Sequence, residues 1–308
     1  MNGMKYVYGP VPSRRLGISL GVSPIPKKTC NHSCIYCQLG PTASTTNTRQ
    51  MYCDVEDIIK ELKQIIKANI TFDVITIVGE GEPTLYLGLE NLIYKIKKQI
   101  DKPVAVITNG ALLYDQEVQS ALSASEIVLP SLDAYDDISY KRINRPYKEL
   151  EFKDMYRGLK EFSKNYKGQL WIEIMLMKNI NDDNESLNRY AKTLSEVKYD
   201  KLYLNTPVRP PAEKKVTTIS HGKMNFAVDF LGGISIELLQ SKGFHSEITD
   251  DYEAVLSIIR RHPMNQFEIE GFLKSRGSRD TPKILNAMKS DDKMNIINYK
   301  GYDTYRLK

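Results

Sequence analysis

Apolar residues along the chain alternate between a helical spacing and short continuous runs. Over residues 55–68 they recur every three or four positions, which predicts an amphipathic helix. The run 74–78, Val-Ile-Thr-Ile-Val, is short, apolar and β-branched, which predicts a buried strand. The same patterns predict further helices over 89–99, 116–122, 152–166 and 186–194, and further strands over 104–107, 127–129, 170–176 and 201–204.

Strands that alternate with helices indicate a parallel sheet, because each helix returns the chain to the same end of the sheet. With one more strand leading into the loop at residues 28–40, the pattern predicts six βα units. We therefore expect an α/β fold, a partial or full TIM-like (β/α)6 barrel. In such barrels the functional side chains follow the carboxyl ends of the strands.

A different pattern begins near residue 251. Three short predicted helices, the second capped by Asn265 and the third begun by Asp280, precede a predicted β-hairpin over 294–307. That order of elements predicts a small C-terminal winged helix-turn-helix domain. The segment before it is mainly polar, with a short predicted helix over 224–230 and a strand over 234–239. The expected division is a barrel over 1–212, a linker and barrel-capping segment over 213–250, and a winged-helix domain over 251–308.

Composition agrees with a chain that folds without disulfides. With 308 residues it can bury a large core, and four cysteines, three of them within 30–37, do not form a disulfide framework. Clustered free thiols are typical of a reducing compartment. The first residues lack the apolar core of a signal peptide, and no apolar run approaches the length of a membrane span. We expect a cytoplasmic protein without membrane attachment.

Positive charge is concentrated near the C-terminus. Residues 254–308 hold 11 Lys and Arg against 6 Asp and Glu, although starting at residue 250 adds three acids and lowers the surplus to +2. A winged helix places basic side chains of its third helix and hairpin near phosphates, but such domains also bind peptides and partner subunits. Charge alone leaves both open. The basic residues in these places are Arg276, Arg279, Lys283, Lys289, Lys300, Arg306 and Lys308.

Three cysteines carry the most specific chemistry. Cys30, Cys34 and Cys37 have CxxxCxxC spacing, which holds a four-iron cluster by three thiolates and leaves one iron open. A structural or electron-transfer cluster normally has four protein ligands, so an open iron indicates a reaction site. The alternative is zinc, which needs a fourth ligand. His32 and Cys53 are available, but neither has a recognisable zinc-site spacing.

Polar residues follow or end the predicted strands. After strand 74–78 come Gly79, Glu80, Gly81 and Glu82, where glycines let a ligand approach the backbone and a carboxylate can accept from an ammonium group. Hydroxyls, amides and carboxylates that converge on a barrel mouth suit a ribose and a carboxylate. The polar residues on the other strands are Thr108 and Asn109, Ser131 and Asp133, Glu173, and Asn205.

Each of these segments also has a purely structural interpretation. A Gly/Pro turn with acidic residues is often a solvated loop, and Thr-Asn-Gly is often a simple turn. Ser131 and Asp133 could cap a helix, and Glu173 could pair with a buried Arg or Lys. Together with the cysteines, however, the segments predict one shared site.

The cysteine loop (residues 28–40) resembles that of the radical S-adenosylmethionine (SAM) superfamily. The resemblance implies a [4Fe–4S] cluster whose open iron is chelated by the amino and carboxylate groups of SAM, and SAM cleavage to methionine and a 5′-deoxyadenosyl radical. It also implies that Tyr36 packs against the adenine. The segment 79–83 resembles a Gly-Gly-Glu motif with Glu80 in place of a glycine, which leaves either Glu80 or Glu82 as the contact of the SAM amino group.

Further segments resemble one group within that superfamily, a group related to the wyosine-base synthases of tRNA. The resemblance covers residues 6 to about 212. The wyosine synthase needs additional cysteines for a second cluster, and no cysteine follows Cys53, so that reaction is not expected here. The matching segments are 9–17, 37–40, 78–84, 131–134, 143–146, 173–177, 181–182 and 204–211.

These features predict a radical SAM enzyme with a macromolecular substrate and a one-electron donor such as ferredoxin or flavodoxin. A nucleic-acid substrate is favoured by the kinship and the basic tail, a peptide or protein substrate is the alternative, and a non-catalytic Fe–S regulator is a third possibility. Arg145 and Arg209 each precede a proline beyond a barrel strand, where a guanidinium could bind a carboxylate or phosphate. The paired Arg14 and Arg15 either tie down the N-terminus or bind an anion.

Overall fold

The N-terminal part of the chain forms an antiparallel hairpin that leads into the cysteine loop. Strand β1 (Val7–Ser13) pairs with β2 (Gly17–Val22), and β2 is the predicted strand before the loop. Two short strands, β3 (Thr29–Cys30) and β4 (Ser44–Thr45), pair at the base of the loop. The computed structural model describes residues 4–236, 244, 246, 248–260, 262–278, 280–299 and 301–308.

One large sheet forms the framework of the barrel. Its later strands are β5 (Val74–Ile77), β6 (Val104–Thr108), β7 (Ile127–Pro130), β8 (Gln169–Met175), β9 (Lys201–Asn205) and β10 (Ile234–Ser235). Among the described residues the order is β1-β2-β5-β6-β7-β8-β9-β10, with only β1 antiparallel to its neighbour. The six parallel strands β2 and β5–β9 confirm the predicted α/β architecture. The edge strands β1 and β10 do not pair with each other in this part of the chain, so the barrel is open.

Helices connect the parallel strands and share one buried apolar cluster with them. The prediction missed α4, and residues 237–239 of the predicted strand 234–239 lie outside the described residues. The helices are α1 (Val55–Lys67), α2 (Leu89–Gln99), α3 (Gln116–Ser123), α4 (Asp137–Ile143), α5 (Phe152–Asn165), α6 (Asn184–Leu194) and α7 (His221–Leu231).

Local sequence explains where these helices begin. The side chain of Asp54 caps α1 by accepting from the backbone N–H of Glu56 at 2.9 Å. Helix α4 begins with a capping box in which Asp136 and Ser139 bond reciprocally to each other's backbone N–H groups. Such caps satisfy backbone donors that lack a partner in the first turn of a helix.

The C-terminal part has its own apolar core and its own sheet. Three antiparallel strands run in the order β11-β13-β12, and the elements follow the predicted sequence of helix, helix, helix and hairpin with one extra short strand. The assignment of this part to the winged-helix class stays a prediction. Its elements are α8 (Asp251–Ile259), β11 (Met264–Asn265), α9 (Gln266–Ser275), α10 (Thr281–Lys289), β12 (Met294–Tyr299) and β13 (Tyr302–Leu307).

The C-terminal core packs against the start of the barrel. Val11 of β1 contacts this second apolar cluster, and the Tyr299 hydroxyl donates to the Pro207 carbonyl at 2.6 Å. Arg276 is bonded within the C-terminal part, to Asp251 at 2.9 Å and to the backbone carbonyls of Ser246 and Ile248. Among the described helices, none has the length and apolar character needed to span a bilayer.

Candidate active site

The cysteine loop is held in place by the end of α4. The backbone N–H groups of Ser33 and Ile35 donate to the carbonyls of Asn144 and Ile143, each at 3.0 Å. Within the loop, Cys37 N donates to Cys34 O at 3.1 Å, which forms a tight turn between two of the cysteines. These bonds fix the loop backbone. The thiols of Cys30, Cys34 and Cys37 are free and line one cavity of about 420 Å³ at the carboxyl ends of the barrel strands.

Amide groups point at two of the three sulfurs. His32 N and Asn109 Nδ2 approach Cys30 Sγ at 3.4 and 3.5 Å, and Asn144 Nδ2 approaches Cys34 Sγ at 3.5 Å. Such donors stabilise thiolates that ligate a metal. The same N–H groups would form weaker hydrogen bonds to neutral thiols.

Burial opposes ionisation of these thiols in the protein alone. It raises the pKa of Cys30 to about 12 and the pKa of Cys34 well above its ordinary value. A bound cation would reverse that preference, because a ligating thiol is deprotonated by its metal. Among the described residues, no three His, Cys, Asp or Glu side chains are arranged to hold a single metal ion. A cubane binds each thiolate through a different iron, and the three soft donors with their amide partners fit such a cluster.

The segment after β5 lies directly against the cysteine loop. Lys28 N donates to Glu80 O at 2.5 Å, and Glu82 N donates to Thr29 O at 3.0 Å. A Cβ on Gly81 would lie 1.8 Å from that Thr29 carbonyl oxygen, so only glycine permits this approach. Gly79, Glu80 and Gly81 all line the cavity beside the cysteines.

Glu82 points away from the cavity and is fully buried. One carboxylate oxygen accepts from Thr84 N, Thr84 Oγ1 and Thr108 Oγ1 at 3.0, 2.7 and 2.6 Å, and the other accepts from Asn109 N at 2.7 Å. Burial raises the pKa of the Glu82 carboxyl. Of the two acids that the sequence left open as the SAM contact, Glu80 is therefore the one placed at the cavity.

Asp133 has a similar supporting position behind Tyr36. Tyr36 lines the cavity and donates its hydroxyl to Asp133, which also accepts from Met175 N at 2.9 Å and Asn144 Nδ2 at 3.2 Å. Burial raises the pKa of the Asp133 carboxyl. The same carboxylate thus fixes Tyr36 and the amide that approaches Cys34.

Several predicted SAM contacts form this supporting layer rather than the cavity wall. Asn109 donates to Asn31 Oδ1 at 2.7 Å as well as to Cys30, and the Thr108 hydroxyl donates to Glu82. The residues of the prediction that do not line the cavity are Glu82, Thr108, Asn109, Ser131 and Asp133. Those that do are Tyr36, Gly79, Glu80, Gly81, Glu173 and Asn205.

A half-buried ion pair forms another part of the wall. Arg15 pairs with Glu173, and Asn205 Nδ2 donates to Glu173 Oε1 at 3.0 Å. Burial lowers the pKa of Arg15 to about 10. The structure thus supports the alternative in which Glu173 is paired with an arginine, although both side chains are half-buried. Arg14 lines the same cavity.

The C-terminal part closes one side of the cavity. Arg306 of β13 donates from Nη1 to the Gln38 carbonyl at 3.1 Å, and Lys27 Nζ donates to the Lys308 carbonyl at 2.8 Å. The prediction that Arg306 faces an external phosphate is therefore wrong, because its guanidinium is used by the cysteine loop. Nothing in the residue pattern indicates a contact between residues 38 and 306, which are so far apart along the chain.

Other predicted substrate contacts lie away from the cavity. Arg145 pairs with Glu213 at 2.8 Å. Lys283 and Lys289 lie on α10, where Lys283 is exposed and Lys289 Nζ lies 3.6 Å from an Asp303 carboxylate oxygen. Arg279 and Lys300 lie outside the described residues. Of the two arginines that precede a proline, Arg145 and Arg209, the second lines the cavity. Among the cavity residues that the prediction did not include are three with ionisable side chains, Lys28, His262 and Glu268.

Comparisons with known proteins identify the family of the chain. A model of the radical SAM superfamily matches residues 25–191. A UPF0026 protein of Methanocaldococcus jannaschii is 35% identical over 311 residues, which cover 97% of this chain and 94% of that protein. A Brachyspira hyodysenteriae protein named GTPase Obg is 41% identical over 266 residues, 84% of this chain, and the match spans only 39% of that longer protein.

A solved structure has the same fold at low sequence identity. Streptococcus suis SuiB, determined bound to S-adenosylmethionine, superposes with a TM-score of 0.52 at 18% identity, covering 69% of this chain and 47% of that one. The superfamily match includes all three cysteines and the segment after β5. The chain therefore belongs to the radical SAM superfamily of enzymes and, within it, to the UPF0026 family.

Proposed function

We propose that Cys30, Cys34 and Cys37 bind a [4Fe–4S] cluster and that the adjoining cavity binds SAM, which the enzyme cleaves reductively to form a 5′-deoxyadenosyl radical. The observation that carries this proposal is the placement of all three thiols on one cavity wall with amide donors aimed at two of the sulfurs. When bound, the cluster would supply one electron and an open coordination position. A ferredoxin or flavodoxin would provide that electron.

Different cavity residues would contact different parts of SAM. Gly79 and Gly81 line the cavity and can offer backbone groups to the ligand, and the Glu80 carboxylate can attract the SAM ammonium group. The Tyr36 ring, fixed by Asp133, offers a flat apolar face to the adenine. Asn205 and Glu173 supply an amide and a carboxylate for hydroxyl groups.

The substrate would meet both parts of the chain. Residues Phe244, His262 and Glu268 of the C-terminal part line the same cavity as the cysteines, so a molecule that reaches the cavity also contacts this part. We propose residues 251–308 as a winged-helix domain that recognises a macromolecule. An RNA is favoured by the relation to tRNA-modifying enzymes and by exposed Lys283 and half-exposed Lys289, and a peptide is the alternative.

Anaerobic reconstitution tests the cluster. The wild-type protein should hold about four irons and, with a reductant, release 5′-deoxyadenosine from SAM. Replacing Cys30, Cys34 or Cys37 by Ala should abolish both. Cys53→Ala is the matched control, because the Cys53 thiol does not line the cavity and contacts the Pro24 carbonyl at 3.7 Å. Retention of iron by Cys30→Ala and its loss in Cys53→Ala, or stoichiometric zinc in place of iron, would overturn the assignment.

A further inference from the structure

Two arginines from separate segments line the same cavity. Arg14 lies in the turn between β1 and β2 and is exposed, and Arg209 lies in the segment after β9. The two guanidinium groups and His262 are close enough to influence one another. Burial lowers the pKa of His262, and the charges of Arg209 and Arg14 lower it further. A cation-rich part of the wall results, with His262 held neutral.

The guanidinium of Arg209 is held in a fixed orientation. Its Nε donates to the Pro263 carbonyl at 2.8 Å, and its Nη2 donates to His262 Nε2 and, at 3.3 Å, to Glu268 Oε1. Its Nη1 makes no hydrogen bond to any residue that the structure describes. A planar guanidinium that is fixed through Nε and Nη2 and has Nη1 available can donate hydrogen bonds to an oxyanion.

The acids of the cavity do not neutralise this part of the wall. Among the residues that the structure describes, four cationic side chains and three carboxylates line the cavity: Arg14, Arg15, Lys28 and Arg209 against Glu80, Glu173 and Glu268. Arg15 is paired with Glu173. Glu268 approaches Arg209 only at 3.3 Å, longer than the roughly 2.8 Å of a strong charge-assisted bond. Arg14 forms no ion pair with a described acid, so a positive charge remains for a ligand.

We propose that Arg14 and Arg209 bind an oxyanion of the substrate, a phosphate or a carboxylate, at the joint between the barrel and the C-terminal part. The inference rests on the proposed function, since the anion is taken to belong to the molecule that the radical attacks. Arg209 binds through its Nη1 side and Arg14 closes over the anion from the β1–β2 turn. His262 orients Arg209, and Glu268 weakens the site by competing for the same guanidinium.

Calorimetric titration of the reconstituted full-length protein tests the site. Inorganic phosphate and succinate are titrated in parallel at one ionic strength set with potassium chloride, which separates a phosphate from a carboxylate site. Arg14→Gln and Arg209→Lys should each weaken binding of the preferred anion about tenfold. Arg14→Gln removes a charged hydrogen-bond donor, and Arg209→Lys replaces the planar guanidinium by an ammonium that cannot place a donor where Nη1 lies. Arg157→Gln is the matched control on the exposed face of α5, where Arg157 pairs with Asp154 at 3.0 Å. It should bind like wild type.

A variant expected to bind the anion more tightly provides the second part of the test. Glu268→Gln should tighten anion binding about fivefold, because it removes the competing charge, while its amide oxygen can still accept from Asn265 N as Glu268 does at 2.9 Å. The proposal fails if wild type binds neither anion, or if Arg14→Gln and Arg157→Gln bind alike. It also fails if Arg14→Gln weakens SAM binding by the same factor, since the anion would then be the SAM carboxylate. Anion binding by wild type without SAM cleavage would defeat the proposed function and leave this site standing.

Discussion

Replacement of Glu82 by Gln should destabilise the fold without a direct effect on SAM, whereas replacement of Glu80 should do the reverse. Glu82 accepts hydrogen bonds from Thr84, Thr108 and the backbone of Asn109. A glutamine keeps one oxygen, and its amide group then faces either the Asn109 N–H or the threonine hydroxyls. One charge-assisted bond is lost and one buried donor is left unpaired, which we estimate to cost about 3 kcal/mol.

Urea unfolding followed by circular dichroism measures that cost. Glu82→Gln should lower the midpoint with an unchanged slope, because the surface exposed on unfolding stays the same. Glu80→Gln is the matched comparison, since Glu80 lies two residues earlier and lines the cavity. It should change the unfolding free energy by less than about 1 kcal/mol and weaken SAM binding about tenfold. A Glu82→Gln protein of wild-type stability that binds SAM weakly would refute this reasoning.

Two further changes probe the cysteine loop and the helix caps. In Arg306→Gln, a chelator should remove the reconstituted cluster about ten times faster, because the Arg306 bond to the Gln38 carbonyl at 3.1 Å holds the cysteine loop closed. Lys283→Gln, on exposed α10, is the control and should lose its cluster at the wild-type rate. Equal rates for the two variants would contradict this role of Arg306. Asp183→Ala should cost about 1 kcal/mol at neutral pH, since Asp183 caps α6 by accepting from Ser186 N at 2.9 Å. The cap lowers the Asp183 pKa below 3.8, so its contribution is present above that pH and is lost as pH falls through the lowered value. A stability difference that persists in strong acid would exclude the charged cap.

Sequence periodicity predicted most of the barrel because strands and long amphipathic helices leave strong patterns. Helix α2 and strands β12 and β13 begin and end where the pattern placed them. The missed helix α4 has seven residues and depends on the Asp136 capping box more than on an apolar repeat. Strand β1 was missed as well, since its residues include prolines and a glycine that strand patterns usually lack.

The site was only partly predictable, because sequence position does not give side-chain direction. Glu80 and Glu82 both follow β5, and the structure places the first at the cavity and buries the second beneath it. Asp133 was predicted as a ligand contact, and its carboxylate instead bonds to Tyr36, Asn144 and Met175. A polar residue at a strand end can serve the ligand or the loop that contacts the ligand, and both uses give the same pattern.

The basic C-terminal residues show why a charge count cannot assign a surface. Arg276 is bonded within its own core, and Arg306 lies against the cysteine loop, so neither presents its charge to a distant partner. Burial lowers the pKa of Arg306, and the neighbouring Cys37 opposes that effect, which indicates that a thiolate at Cys37 and this guanidinium stabilise each other. The C-terminal part therefore supports the cysteine loop as well as lining the cavity. Its removal would expose the cavity and also release a support of the cluster ligands, so loss of activity in a truncated chain would not by itself identify a substrate-binding domain.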